Sequence, residues 1–162
     1  MNTPELRPAS VSDAAAMLAL LQAVCAEGDA LPFQGGIDQG MVDSLWLGAD
    51  TCMLACSDNE VVGMYRSGPA MPGRGAHVAR ATFLVRPGAR QRGLGRLLVR
   101  HCLDTARRKG YRAMQFNQVL ATNAAALALY KSEGFDIVGT IPDAFDHRTL
   151  GYVTAHILHR FL

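Results

Sequence analysis

The run Val85-Arg86-Pro87-Gly88-Ala89-Arg90-Gln91-Arg92-Gly93-Leu94-Gly95-Arg96 carries the strongest chemical signal in the chain. An apolar stretch ends there, a glycine-containing turn follows, and a helical pattern begins. Glycine lets backbone N–H groups come close to a ligand, because no Cβ stands in the way. The first N–H groups of a helix lack internal partners, and its dipole favours an anion at that end. Arg90, Arg92 and Arg96 add positive charge. The segment reads as a seat for a phosphorylated ligand, a pyrophosphate in particular. It is not a dinucleotide fingerprint, because Leu98 stands where the third glycine should pack helix on strand. Nor is it a Walker loop. Gly88 and Gly93 have the outer spacing, but Leu94 and Gly95 replace the Lys and Ser/Thr that would reach phosphate and magnesium. An ordinary strand–turn–helix junction would use the same glycines, so the turn alone does not decide.

Two further groups could do chemistry. Asn123, Ala126 and Tyr130 lie at i, i+3 and i+7 of a helical pattern and share one face. Asn123 offers an amide near the helix start, and Tyr130 a phenol two turns on. The alanines at 124, 125, 126 and 128 leave the helix backbone approachable. The same residues would also serve as a helix cap and a packing aromatic. Asn117 falls in mid-strand, where Asn is disfavoured. It points either into the core, where it needs partners, or into a cleft.

The elements that must position these groups are legible from pattern. Residues 5–9 read as a strand. Ser10 and Asp13 have capping-box spacing, ahead of a helix over 14–26 that Gly28 stops. A loop over 29–36 and a second helix over 37–47 follow. Strands over 51–57 and 61–68 flank the turn Asp58-Asn59-Glu60. A strand over 76–86 leads into the glycine turn. The next helix carries Leu94, Leu97, Leu98, Cys102 and Ala106 on one face and ends at Gly110. A strand over 111–120, a helix from Thr122-Asn123 to about 133, and a strand over 135–140 ended by Pro142 come next. Residues 143–150 read as a polar loop and 151–160 as the last strand. Alternating strands and helices over 76–140 imply crossovers, and the earlier hairpin implies antiparallel neighbours. The expected class is α/β with a mixed sheet covered on both faces.

The bulk properties narrow the function. With 162 residues, the chain suits a single domain, 1–162, with a full core. A net charge of +2, with basic residues interleaved among apolar ones, argues against nucleic acid as a partner. No apolar run is long enough to span a membrane, and residues 1–7 lack the apolar segment of a secretory signal. A cytoplasmic protein without a membrane partner is expected. Cys25, Cys52, Cys56 and Cys102 sit in apolar segments and read as buried free thiols. No His/Cys/Asp cluster has metal-ligand spacing, so no metal is expected.

Taken in order, the strand, the turn Arg90-x-x-Gly93-x-Gly95, the long helix, the next strand and Asn123…Tyr130…Gly134-Phe135 resemble the GCN5-related N-acetyltransferase (GNAT) superfamily. The opening Leu6-Arg7-Pro8-Ala9 with Asp13 resembles its first strand and helix start. The resemblance thus spans nearly the whole chain. It implies the GNAT fold, a twisted mixed sheet of about seven strands with helices on both faces, and acetyl-CoA as co-substrate. It also implies roles. Backbone N–H groups of Arg90, Gln91, Arg92, Gly93, Leu94, Gly95 and Arg96 would hold the pyrophosphate. Phe83, Leu84 and Val85, on a splayed strand, would bind the pantetheine arm as an added strand would. Asn123, with Ala126 beside it, would contact the pantetheine or phosphate end. Tyr130 would protonate the leaving thiolate.

In that scheme an amine attacks the thioester directly, and no Cys nucleophile is expected. Many family members carry a Glu on the strand where this chain has residues 77–85, and none is present here. His77 supplies an imidazole that could serve as a base and otherwise reads as a partnered or exposed histidine. Glu27 and Asp29 either hold a cationic amine or form a solvated helix end. Asn117 would bind a substrate carboxylate or position the thioester. The run 116–123 resembles a branch that includes acetyltransferases of proline analogues. Ile141-Pro142-x-Ala144-Phe145 and Gly151-Tyr152 resemble the same branch, which places His147 and Tyr152 at the border of the acceptor pocket. The expected reaction is acetylation of a primary or secondary amine of a small molecule, an amino acid or analogue. Acetylation of a protein or peptide, and a non-catalytic acyl-CoA-binding module, are the alternatives. Pairing into a homodimer is common in the family and is not decided by these residues.

Overall fold

A computed structural model describes residues 4–162. Strand β1 (Glu5–Pro8) leads into helix α1 (Ala14–Cys25). The start of α1 follows from local chemistry. The Ser10 backbone N–H donates to Asp13 Oδ2 at 2.8 Å, and Arg7 donates to both Asp13 oxygens at 2.8 and 2.7 Å. These Arg7 bonds hold the Asp13 carboxyl well below the usual carboxylate range, against the opposing effect of burial. Asp13→Asn is expected to lower the unfolding free energy by about 1 kcal/mol, the usual worth of a lost cap. Because the folded pKa is depressed, that contribution is complete above the unfolded pKa of about 3.9 and fades as pH falls toward the folded value. Urea unfolding of both proteins at pH 7 and in acid checks this, since the gap between them should shrink below about pH 4.

Helix α2 (Gln39–Met41) continues into a π-helical turn (Val42–Leu47). Then come β2 (Thr51–Ser57), β3 (Glu60–Pro69), β4 (Val78–Val85), α3 (Leu94–Arg108), β5 (Ala113–Leu120), α4 (Ala124–Ser132), β6 (Asp136–His147) and β7 (Gly151–Phe161). All seven strands form one sheet in the order β1-β2-β3-β4-β5-β7-β6. Every neighbouring pair is antiparallel except β4 and β5. One core lies between the sheet and α3, where Leu94, Leu98, Val99, Cys102 and Leu103 are buried, with α4 packed at its edge. The other lies under α1 and α2, around Met17, Leu21, Trp46, Met64 and Leu84. Helices therefore cover both faces, as the alternation predicts. Among the described residues, no helix is long and apolar enough to cross a membrane.

Two expectations need correction. Pro142 does not end β6, and residues 143–147 are strand, not loop. The register shifts between Ile141 and Phe145, with Asp143 at φ 47°, so Pro142 sits in a bulge. β6 is an edge strand, where a residue without an N–H is tolerated. His77 precedes β4 and does not belong to it, because the strand begins at Val78.

Candidate active site

The parallel ladder between β4 and β5 is short. It pairs only Val78, Ala79 and Arg80 with Ala113, Met114 and Gln115. Beyond Arg80 the strands part, so the β5-facing backbone of Ala81–Val85 lacks a strand partner. A bulge in β5 begins at the same level. Between Phe116 and Val119 its register against β7 slips, three steps on β5 facing two on β7. Such a bulge bends the strand and re-aims its side chains. Asn117 and Gln118 are turned outward, while Phe116 and Val119 stay buried. This is why a strand accepts Asn117 in its middle.

The gap is a cavity of about 290 Å³. Phe83, Asn117, Asn123, Ala126 and Tyr130 line it, and residues 30–33 lie across it. Tyr130 sits in an aromatic nest, with ring centroids 4.6 Å from Phe116, 5.9 Å from Phe135 and 6.3 Å from Phe83. Its hydroxyl has no hydrogen-bond partner in the protein among the described residues. Burial, and then proximity to Cys102, push its pKa well above the ordinary phenol value, so it stays protonated through the neutral range. Asn123 caps α4, its Oδ1 accepting from the Ala126 N–H at 3.2 Å. Asn117 Oδ1 accepts from Gln115 Nε2 at 2.5 Å.

At the C-terminal end of β4 the glycine turn has the expected shape. Gln91 and Gly93 take positive φ, 62° and 80°, and Gly93 is the N-cap of α3. The first backbone bond of the helix runs from the Leu97 N–H to the Gly93 carbonyl. Among the described residues, the amides of Gln91, Gly93, Leu94 and Gly95 have no acceptor. Successive N–H groups in this arrangement make a concave anion seat. A Cβ added at Gly93 would meet nothing within 4 Å, so the seat is open, whereas one at Gly95 would come to 3.4 Å of Leu129 on α4.

The arginine side chains there are already engaged. Arg90 donates two hydrogen bonds to the Glu27 carboxylate at 3.0 and 2.5 Å, and Arg96 donates to the buried Glu133 at 2.8 Å, which Arg100 also reaches at 3.1 Å. The turn therefore presents backbone amides more than free charge. Glu27, which the sequence leaves as either a seat for a cationic amine or part of a solvated helix end, is paired with an arginine 63 positions away.

A second cavity, about 650 Å³, adjoins the first at Leu31–Phe33 and Gln118 and runs between residues 26–37 and the β6–β7 hairpin. Ala144, Phe145, Asp146 and Arg148 line its far wall. The hairpin thus borders the site, but not through the residues expected. His147 packs edge-on to Phe145 at 6.5 Å and accepts from the Thr149 N–H, and Tyr152 is 71% exposed. Neither is among the residues lining these two cavities, nor is Asp29. His77 sits before the start of β4, at the opposite end from the glycine turn, and its carbonyl accepts from the Arg112 N–H.

The profile of the Acetyltransferase (GNAT) family matches residues 23–135, a span that holds the split strands, the turn and the Asn123–Tyr130 helix. The chain belongs to the acetyltransferase (GNAT) family. It is 38% identical to a solved GCN5-related N-acetyltransferase from Kribbella flavida, over 99% of this chain and 98% of that one, with a TM-score of 0.93. It is 37% identical over 100 residues to N-acetyltransferase aca1 of Schizosaccharomyces pombe, covering 60% of this chain and 47% of that protein. Over 52 residues it is 44% identical to the ribosomal-protein-bS18-alanine N-acetyltransferase of Salmonella typhimurium, covering 32% of this chain and 34% of that enzyme. The matched segments thus span about half or less of these curated relatives.

For a GNAT chain, the residues missed from sequence are Gln118, Arg66 and Arg80. Gln118 Nε2 donates to the Ala144 carbonyl at 3.0 Å and ties the β5 bulge to the β6 bulge. Arg66 and Arg80 line the cleft. The available signal was Arg66 itself, a cation amid the strand residues Val61, Val62, Met64 and Tyr65. None of the four cysteines is bonded, and burial pushes Cys102 up to about 12 and Cys52 up to about 11. Such thiols stay protonated and are poor nucleophiles.

Proposed function

We propose that this chain is an acetyl-CoA-dependent N-acetyltransferase that acetylates a primary or secondary amine of a small molecule, an amino acid or analogue. The observation that carries the reading is the split between β4 and β5, with Tyr130 inside it and unpaired amides at its C-terminal mouth. The pyrophosphate would rest on the amides of residues 91–95. The pantetheine arm would add along the free edge of Phe83, Leu84 and Val85. Only the backbone of these three serves that role, since Leu84 is buried in the opposite core and Phe83 packs near Tyr130.

The neutral amine attacks the thioester carbonyl, the C–S bond breaks, the thiolate takes the Tyr130 proton, and the resulting phenolate regains a proton from water. The amine's surplus proton leaves to water, because the described cleft lining holds no Asp, Glu or His. Asn117 and Asn123 orient the acyl and pantetheine groups through their remaining amide hydrogens.

The test is thiol release from acetyl-CoA across a panel of amino acids, cyclic imino acids, simple amines and peptides, with products weighed by mass spectrometry. Turnover of free amino acids or imino acids is expected. Acetyl-CoA binding with no turnover of any amine would make the chain a binding module. Turnover of peptides alone would favour the second reading, a protein N-terminal acetyltransferase. The specific support for that reading is the 650 Å³ groove beside the cleft, together with the similarity to the bS18-alanine enzyme.

A further inference from the structure

Most arginines around the site have been given carboxylates. Arg86 pairs with Glu60, Arg90 with Glu27, and Arg96 and Arg100 share Glu133. Arg66 and Arg80 are exceptions. On the β3–β4 ladder Arg66 stands opposite Thr82 and Arg80 opposite Gly68, so the two arginines are diagonal neighbours on one face of the sheet. Diagonal positions are about 7–8 Å apart, a spacing that two guanidinium groups can bridge through one anion.

Arg66 is held in place from one side only. Its Nη1 donates to the Leu45 carbonyl at 2.9 Å, and its Cζ lies 5.6 Å from the centre of the Trp46 ring. Its Nε is buried without a partner, among the described residues the one such side-chain atom. Among the described residues, Arg80 makes no hydrogen bond or ion pair. Burial and the Arg80 charge both lower the Arg66 pKa, and no carboxylate opposes them. A buried donor without a partner costs about 1–3 kcal/mol, and two like charges beside a dry wall repel. Both costs vanish when an oxyanion settles between the two side chains. Guanidinium suits that task, because its planar fork matches a carboxylate and stacks on an aromatic ring.

The position of the pair fits a substrate. Arg66, Arg80 and Thr82 line the same cavity as Asn117 and Tyr130. Gln115 stands beside Arg80 on the parallel ladder and donates to Asn117. We infer that Arg66 and Arg80 form an oxyanion seat in the acceptor half of the cleft, and that the acceptor is an amine that also carries a carboxylate. This rests on the acetyl-transfer reading above and adds to it a binding site and a charge for the acceptor. A peptide N-terminus without a neighbouring carboxylate would leave both arginines unmatched.

The experiment compares matched acceptors, glycine with glycinamide and proline with prolinamide, under saturating acetyl-CoA. The carboxylate member of a pair should have a kcat/KM at least about tenfold higher, an ordinary margin for a charge-assisted bidentate contact. Arg80→Gln should shrink the acid-over-amide ratio about tenfold, chiefly through KM. Arg66→Lys keeps the charge and the contact with Trp46 but loses the fork, and should shrink the same ratio. Arg80 is exposed, so its replacement is compatible with folding. Equal kcat/KM for acids and amides, or an Arg80→Gln protein whose ratio is unchanged, would overturn the seat while leaving acetyl transfer standing. No transfer to any amine would overturn both.

Discussion

Replacing Tyr130 by Phe is expected to lower kcat by about 10²–10³-fold, the range for losing a positioned proton donor, while the acetyl-CoA dissociation constant changes by less than about threefold. The phenyl ring keeps every aromatic contact that holds the nest together, with Phe116, Phe135 and Phe83. The hydroxyl has no hydrogen-bond partner among the described residues, so its removal orphans none of them. What would be lost, on the proposed mechanism, is the proton for the departing sulfur. Burial raises the pKa of the phenol, which at first sight makes it a weak acid. A thiolate expelled into the same cleft would lose hydration as well, so its basicity would rise in the same direction as that of the phenol. Thiol-release kinetics with calorimetric titration of acetyl-CoA reads both quantities. Equal loss of turnover and affinity would make Tyr130 a packing residue.

Replacing Gly93 by Val is expected to weaken acetyl-CoA binding by about 100-fold or more, since loss of several hydrogen bonds at a charged group removes about 3 kcal/mol. Gly93 has φ 80°, which a β-branched residue adopts only under strain of about 1–3 kcal/mol. Its missing Cβ opens onto empty space above the unpaired amides, where the pyrophosphate is proposed to sit. Valine would thus distort the seat and fill it. Gly88→Ala is the control. Gly88 has no positive φ, and a Cβ there meets nothing within 4 Å, so its affinity should match the parent. Calorimetry and thermal unfolding of all three proteins separate loss of the seat from loss of the fold. An unchanged affinity in a folded Gly93→Val protein would remove the turn from the cofactor site.

How much of this was readable in the chain depends on how far apart the interacting groups lie. The cap at Ser10–Asp13, the positive φ at Gly93 and the cap at Asn123 involve neighbours within a few residues, so their chemistry is written locally. The helix faces were readable for the same reason, since a period of 3.6 is a property of the segment itself. The end of β6 was misjudged at Pro142. Whether a proline is tolerated depends on the strand lying at a sheet edge, and edge position is set by the whole topology. The pairing of Glu27 is not legible locally either, because its partner Arg90 is 63 positions away.

By itself, the amino-acid sequence determined the order of strands and helices, the amide-rich turn before α3, and the shared face of Asn123 and Tyr130. Each is governed by backbone preferences and contacts within a turn or two. Only the tertiary structure decided where β4 and β5 part, that a bulge sends Asn117 and Gln118 outward, and that Arg66 and Arg80 meet without a carboxylate. Those features arise from register between strands distant in the chain. Register is chosen by the packing of two cores at once, which no local pattern encodes.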